Sequence, residues 1–353
     1  VSAALVRVLV VDDSQLVRRL LTHALQTDPR IRVVGVAENG REGLRRVEEL
    51  RPDLVTLDME MPELDGAGTL RELRRVHPTL PVLMVSSLSR RSVSSTLDAL
   101  QSGCVDYVEK PASGGMDRFS SELCPRVLNL ARAKVSVAPT VPPRPAPPTI
   151  PRRHTQKVRL LVIAASTGGP DALARVLSDL PRTFPLPIAV VQHMPPVFTT
   201  MFAARLTQGS GFDVVEATDG VELRPGRVVL APGDHHLLVT ARGTSLVGSL
   251  DRGAPENSCR PAADILFRTA SAAVHGELVA VVLTGLGRDG AAGCRVVAQA
   301  GGRIFVQDRA TSVAWGMPGA AIETGLADQV LPLGKIGQAL TSLMFARPAS
   351  LAP

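Results

Sequence analysis

Aromatic side chains are scarce in this chain of 353 residues, which holds one Trp and one Tyr and is 3% aromatic in total. Proteins that hold single-stranded nucleic acid stack its bases on aromatic rings, and few rings are available here. Lysine is almost as rare: four of the 39 basic residues are Lys (Lys110, Lys134, Lys157 and Lys335), and the rest are Arg. A net charge of +6 and a pI near 9.7 would by themselves suggest nucleic acid or a membrane surface. Arginines spread along the whole length read instead as a coding bias, and no nucleic-acid partner is expected. The four cysteines, Cys104, Cys124, Cys259 and Cys294, lie far apart without a Cys-x-x-Cys pair. That fits reduced structural thiols better than a disulfide framework or a zinc site. No uninterrupted apolar run is long enough to cross a bilayer, and no basic-then-apolar signal stands at the start. A cytoplasmic monomer without membrane insertion is expected.

What the chain has in quantity is short apolar runs, glycine (30) and proline (28). Its length suits two domains, each able to bury its own core, and 45% apolar with 20% charged residues is ordinary for a soluble protein. Many prolines gather in VAPTVPPRPAPPTIPRR, within residues 135–156. That stretch has too many prolines to continue a helix and too few large apolar residues to form a core. It reads as a semi-extended spacer between a first domain, residues 1–134, and a second, residues 157–347, with 348–353 as a tail.

In the first domain Arg7 to Val11, Arg32 to Val36, Leu54 to Leu57, Pro81 to Val85 and Asp106 to Val108 read as strands. Helical segments follow them, such as Ser14 to Thr27 with Leu16, Leu20, Leu21 and Leu25 at helical spacing. Strand and helix in alternation give a doubly wound parallel sheet, whose functional groups collect beyond the carboxyl ends of the strands. At those ends stand Asp12 and Asp13, Asp58, Ser86 and Lys110. A helix cap explains any one aspartate, but three carboxylates brought together repel one another and suit a hard divalent cation.

The motifs VVDDS, LDMEMPELDG, MVSS and YVEKP, in this order, resemble those of a response-regulator receiver domain. The resemblance implies a flavodoxin-like fold and a phosphoryl group accepted on Asp58 from a histidine kinase. It implies Mg²⁺ held by Asp12, Asp13 and Asp58, with the Met59–Met61 region contributing to that loop. Lys110 would pair with the phosphoryl oxygens, Ser86 would move to hydrogen-bond them, and Tyr107 would be the ring that switches rotamer. A cis Lys110–Pro111 bond is also implied.

The second domain opens with LLVIAASTGGP, a buried strand that stops at Ser166 and passes through Gly168 and Gly169 into a helix. A serine on such a turn is a candidate nucleophile, and two rival readings are a helix cap and a phosphate cradle. The cradle lacks the lysine that the Walker pattern needs. Ile188 to Gln192 is the next strand and ends at His193, held beside two prolines, which makes it the best candidate base. The rival histidines, His235 and His236, lie in a hairpin arm and are expected at the rim of a cleft. Leu278 to Thr284 is a third strand, and Asp289 follows it, before a helix from about Ala291. Nucleophile, base and orienting acid thus converge on one sheet edge, and the chain order does not matter because geometry and role define such a set.

IAASTGGP, VVQHMPPVFT, APGDHHL, LTGLGRDG and VQDRATSVAWGMPGAA are similar to the catalytic domain of the CheB family of chemotaxis protein-glutamate methylesterases. The whole chain, with receiver, linker and esterase in that order, resembles full-length members. The expected fold is therefore α/β, with two doubly wound parallel-sheet domains, a flavodoxin-like receiver and a Rossmann-like esterase, joined by a Pro-rich linker. The resemblance implies hydrolysis of receptor glutamate methyl esters with release of methanol, and deamidation of particular receptor glutamines, under phosphorylation control. Ser166, His193 and Asp289 would be the catalytic side chains, the backbone N–H groups of Thr167 and Leu286 the oxyanion donors, and no cofactor would serve the esterase. Three residues depart from the usual pattern: Ala164 for Gly, Leu286 for Met and Ala262 for Ser. A transcriptional regulator would need a helix-turn-helix where this half alternates strand and helix. An inactive esterase fold used as a scaffold is distinguished by assaying methanol release.

Overall fold

A computed structural model of the chain describes residues 5–87, 89–101, 106–110, 116–133 and 157–345. The chain divides into two compact units, Val1–Val141 and Pro142–Pro353. The spacer over 135–156, the tail 348–353, Pro111 and Cys104 lie outside the described residues. Among those that are described, the cis peptide is Arg260–Pro261.

In the first unit β1 (Val6–Val11), α1 (Gln15–Gln26), β2 (Ile31–Ala37), α2 (Gly40–Leu50), β3 (Leu54–Asp58) and α3 (Gly66–Val76) alternate along the chain. They are followed by β4 (Val82–Ser86), α4 (Arg90–Gln101), β5 (Asp106–Glu109) and α5 (Met116–Ala133). The strands pair in parallel in the order β2-β1-β3-β4-β5, the flavodoxin-like order. Every residue of β3 and of β4 is buried, as strands covered on both faces require. Side chains start the helices: Ser14 accepts from the Val17 N–H, Asn39 from Glu42 and Asp65 from Gly68. Gly66 is needed where α3 begins, because a Cβ there would lie 2.2 Å from the Asp58 carbonyl oxygen.

The second unit runs β6 (Leu160–Ala165), α6 (Gly169–Asp179), β7 (Ile188–Gln192), α7 (Pro196–Ser210), β8 (Asp213–Glu216), β9 (Val221–Leu223) and β10 (Arg227–Leu230). It continues with β11 (His236–Arg242), β12 (Ser245–Asp251), α8 (Ala263–Ala273), β13 (Leu278–Val282) and α9 (Ala291–Gln299). Last come β14 (Arg303–Gln307), α10 (Met317–Glu323), β15 (Gln329–Leu331) and α11 (Leu333–Phe345). Seven strands pair in parallel in the order β15-β14-β13-β6-β7-β10-β8. The hairpin arm expected at His236 is β11, paired with β12, and a third strand that the sequence reading did not anticipate, β9, completes a separate antiparallel sheet, β11-β12-β9. Its core is shared with the main sheet: Leu237, Val239 and Leu246 join Leu266 and Phe267 of α8 against Val162, Ala280 and Val282.

Since β6 is the first strand of this sheet and lies between β7 and β13, the direction of winding reverses there. A crevice opens at such a point, outside the carboxyl ends of the strands. The residues that follow β6, β7 and β13 are Ser166, His193 and the loop to Asp289.

Candidate active site

Ala165 is the register partner of Gln192, so Ser166 and His193 leave neighbouring strands side by side, and the His193 N–H donates to the Ala165 carbonyl at 3.2 Å. On the other flank Ala164 partners Val282, and the Ser166 N–H donates to the Thr284 carbonyl at 3.0 Å. The turn after Ser166 can be made only by small residues. Gly168 has φ +74°, and a Cβ on it would lie 2.6 Å from that of Val313. A Cβ on Gly169 would fall 2.0 Å from Gln192 Oε1. Gln192 is buried, and its amide donates to the Ser166 carbonyl at 3.0 Å, tying the two strand ends together.

The loop after β13 crosses close to the serine. Gly285 permits this, since a Cβ there would lie 2.9 Å from Ser166 Cβ and 2.4 Å from Met317 Sδ. The next residue, Leu286, has an N–H that donates to no described residue. Thr284 anchors the loop: its hydroxyl donates to the Thr167 carbonyl at 2.9 Å and accepts from the Ala314 N–H, while its own N–H goes to Gln307 Oε1 at 2.8 Å. Ser166 and Thr167 are both buried.

Asp289, buried, lies 2.8 Å from His193 Nε2. Its carboxylate also accepts the N–H groups of Ala263 at 2.6 Å, Asp264 at 3.0 Å and Gly290 at 3.0 Å, and Asn257 Nδ2 at 3.1 Å. Burial alone would raise its pKa, but the bond and charge of His193 with the N–H groups of α8 hold it below the ordinary carboxylate value. Burial would weaken His193 as a base, yet the hydrogen bond and charge of Asp289, with those of Cys259, raise its pKa above the ordinary value. Asp264 is also buried, and burial keeps its carboxyl above the ordinary value; it accepts from the Gly293 N–H and from Asn257. It is one step removed from the histidine.

Ser166 Oγ makes no hydrogen bond to His193. The other ring nitrogen, Nδ1, is instead in hydrogen-bond contact with Cys259 Sγ at 3.6 Å. A tight turn brings Cys259 there: Glu256 and Cys259 exchange N–H···O bonds of 3.1 and 2.9 Å, and both intervening residues have positive φ, Asn257 at 52° and Ser258 at 62°. Two left-handed residues in succession make the primed hairpin turn, in which Asn is favoured. Cys124 and Cys294 are buried as structural thiols are expected to be, but Cys259 is partly exposed at the site. His236 departs from expectation too. Instead of lining a rim it is fully buried, accepting from the Ala262 N–H at Nδ1 and bonding the Ala254 carbonyl at Nε2.

In the first unit Lys110 Nζ lies 3.0 Å from Asp12 Oδ2 and 2.8 Å from Asp58 Oδ2. Asp12 and Asp58 are buried and Asp13 is exposed, and one oxygen of each falls within 4.8 Å of the others. Burial, with the Asp12 charge added, holds the Asp58 carboxyl up to about 6 against the pull of Lys110. The three carboxylates form an all-oxygen donor set that fits a hard divalent cation, and the single lysine beside them leaves negative charge uncompensated. Ser86 is buried with its hydroxyl donating to the Ser87 carbonyl at 3.2 Å and accepting from Thr96 at 2.8 Å, so it is engaged away from Asp58. Tyr107 is buried, which raises its phenol pKa well above the ordinary value.

Residues 161–340 match the CheB methylesterase family, and residues 8–116 match the response regulator receiver domain. A relative from Nocardioides sp., named protein-glutamate methylesterase/protein-glutamine glutaminase, is 47% identical over 99% of this chain and 98% of its own. A Pseudomonas aeruginosa relative, named protein-glutamate methylesterase/protein-glutamine glutaminase 2, is 42% identical over 95% of this chain and 96% of its own. The crystal structure of the Thermotoga maritima CheB methylesterase catalytic domain is similar to 53% of this chain and 99% of that one, with 43% identity and a TM-score of 0.52. The chain belongs to the CheB methylesterase family. Two of its departures from the usual CheB pattern have a local account. Ala262 precedes α8 with no side-chain cap, and the N–H groups of Ala263 and Asp264 turn to Asp289 instead. Leu286 follows Gly285 in the loop after β13 with its N–H donating to no described residue, and a role carried by that N–H would not depend on the side chain. Ala164 is fully buried in β6, and nothing in the structure explains the choice of Ala over Gly. Sequence reading missed Asn257, Cys259, Gln192, Thr284 and Gln307. Three of these end or closely follow apolar strands as lone polar residues, a signal available in principle; the turn that carries Asn257 and Cys259 has none.

Proposed function

We propose that this chain is a phosphorylation-controlled protein-glutamate methylesterase that also deamidates selected glutamines. Its substrates are chemoreceptors, and a histidine kinase supplies the phosphoryl group. The observation that carries the reading is the His193 Nε2–Asp289 pair at 2.8 Å, set one strand away from Ser166, with Nδ1 the ring nitrogen not engaged by Asp289. Ser166 Oγ attacks the ester carbonyl as its proton passes to Nδ1. Asp289 holds the Nε2–H tautomer and stabilises the imidazolium. Collapse of the tetrahedral intermediate expels methanol, which takes the proton from Nδ1, and water releases the acyl group by the same route. The unpaired Leu286 N–H is one candidate oxyanion donor, with the Thr167 backbone the other, each worth ~3–4 kcal/mol. The absent Ser166–His193 bond fits a resting site, since such contacts often tighten only with substrate.

In the receiver unit, Asp58 is the acceptor, and Asp12, Asp13 and Asp58 would hold Mg²⁺, whose charge would offset carboxylate repulsion as the phosphoryl group arrives. Lys110, already on Asp58, would pair with the phosphoryl oxygens. Ser86 must leave Thr96 to reach them, and Tyr107 is the ring whose rotamer would follow. The test is methanol release from methylated receptor membranes by the purified full-length chain. Ser166→Ala should remain folded and lose at least ~10³ in turnover, because members of such a set act as a unit. Turnover within about tenfold of the parent would remove Ser166 from the nucleophile's role.

A further inference from the structure

Cys259 Sγ stands 3.6 Å from the one nitrogen of His193 that Asp289 leaves open. It is held there by more than chance packing. Left-handed Asn257 and Ser258 are costly conformations that persist only where surrounding bonds over-determine them. Here the paired backbones of Glu256 and Cys259, and the Asn257 amide donating to Asp264 and Asp289, provide those bonds. The neighbouring charges are committed elsewhere: Arg252 and Arg260 to Asp234, and Glu256 to Arg268. The imidazole is therefore the base in contact with this thiol. Among the three cysteines within the described residues, Cys259 is partly exposed while Cys124 and Cys294 are buried, so a small solute reaches Cys259 and not those two.

We infer that Cys259 is a reversible thiol-modification site that switches the esterase off, with small disulfides as its class of reagent. The inference rests on the reading above, with His193 as the base of Ser166. The thiol proton passes to His193 Nδ1, and Sγ attacks one sulfur of the reagent. A mixed disulfide forms as the reagent's S–S bond breaks, and the departing half leaves as a thiolate that collects the proton. Cys259 is oxidised and half of the reagent is reduced. The adduct then fills the space beside Nδ1 that Ser166 Oγ must enter, and a thiol reductant restores the site.

The test uses full-length protein and 2-hydroxyethyl disulfide, with each cysteine's occupancy followed by peptide mass mapping and activity by methanol release. Cys259 is expected to react at least about tenfold faster than Cys124 or Cys294, as exposure and a neighbouring base dictate. Hydrolysis should fall in proportion to Cys259 occupancy and return with dithiothreitol. His193→Ala should slow modification of Cys259, while Cys259→Ala and Cys259→Ser should each keep their own untreated rate in the reagent. Full occupancy with hydrolysis intact, equal inhibition of Cys259→Ala, or modification no faster than at the buried cysteines would overturn the inference. An untreated parent that releases no methanol would defeat the esterase reading, and the off-switch with it. The mapped rates at Cys259 and their dependence on His193 do not depend on activity, so the two failures are separable.

Discussion

At position 289 the carboxylate is surrounded by donors: three backbone N–H groups, the Asn257 amide and His193. From sequence alone, an Asn there is expected to keep the local bonding possible. In the folded protein its NH₂ would face an N–H whichever way it turned. Asp289→Asn is therefore expected to lose roughly 10⁴ in turnover through the wrong tautomer, and also about 1–3 kcal/mol of stability through the unmatched donors. Urea unfolding followed by the single tryptophan, Trp315, checks the second part; parent-like stability would mean the loop rearranges around the amide. Asp58 offers a different single-residue test. Its pKa of about 6 lies above the unfolded value, so the folded unit binds the proton more tightly. The associated stability is full below an ordinary carboxylate pKa of ~4 and is lost as pH rises toward 6. Two pKa units correspond to at most roughly 3 kcal/mol. Without Mg²⁺, Asp58→Asn should therefore be more stable than the parent at pH 8, with the gap closing toward pH 4. The single tyrosine, Tyr107, reports unfolding of this unit by near-UV absorbance. A gap that widened in acid would contradict the assignment.

Among the elements, the turn from β6 into α6 bears the tightest constraint. Gly168 combines φ +74° with a Val313 Cβ only 2.6 Å from where its own Cβ would be. Gly287 has a similar φ of +81° but open space around it. Gly168→Ala should cost more than the about 1–2 kcal/mol of a left-handed alanine, and should depress turnover by displacing Ser166. Gly287→Ala isolates the backbone cost and should be milder on both counts. Trp315 is suited to the comparison because it bridges to Gly285, beside the serine. Equal losses in the two variants would show that overlap with Val313 is relieved cheaply. The ends of these elements were readable because each strand is an apolar run that stops at a polar or glycine residue. Ile188–Gln192 and the start of α9 at Ala291 agree with the sequence reading. The hairpin arm read at His236 is present as β11 paired with β12, but the third strand, β9, was not readable, because three residues are too few to show an alternation.

For the whole molecule, each unit has its own sheet and the second its own buried core. A receiver with no chemistry of its own on the ester can act only by shifting an equilibrium, and by no more than its differential stabilisation of two states. A tenfold change needs ~1.4 kcal/mol, within the usual range of such couplings. Residues 157–353 alone are expected to release methanol faster than the unphosphorylated full chain, and Asp58→Asn should not respond to a small phosphodonor with Mg²⁺. All three proteins are compared on one receptor preparation. An isolated second unit no faster than the parent would replace relief of inhibition by active stimulation.

The sequence alone determined the two α/β units and the side chains that crown their strands, because a strand of buried residues and the turn that ends it are local patterns. Ser166, His193 and Asp289 each follow such a strand, as does Asp12, while Asp58 and Ser86 are the last residues of theirs. Only the tertiary structure decided what those side chains meet. Cys259 lies 66 residues from His193, and Thr96 holds Ser86 from the next helix. Asp289 takes up the N–H groups of α8 from 26 and 25 residues away. Such contacts arise from how strands order themselves and where loops cross, and hydrophobic periodicity within one segment carries no information about either.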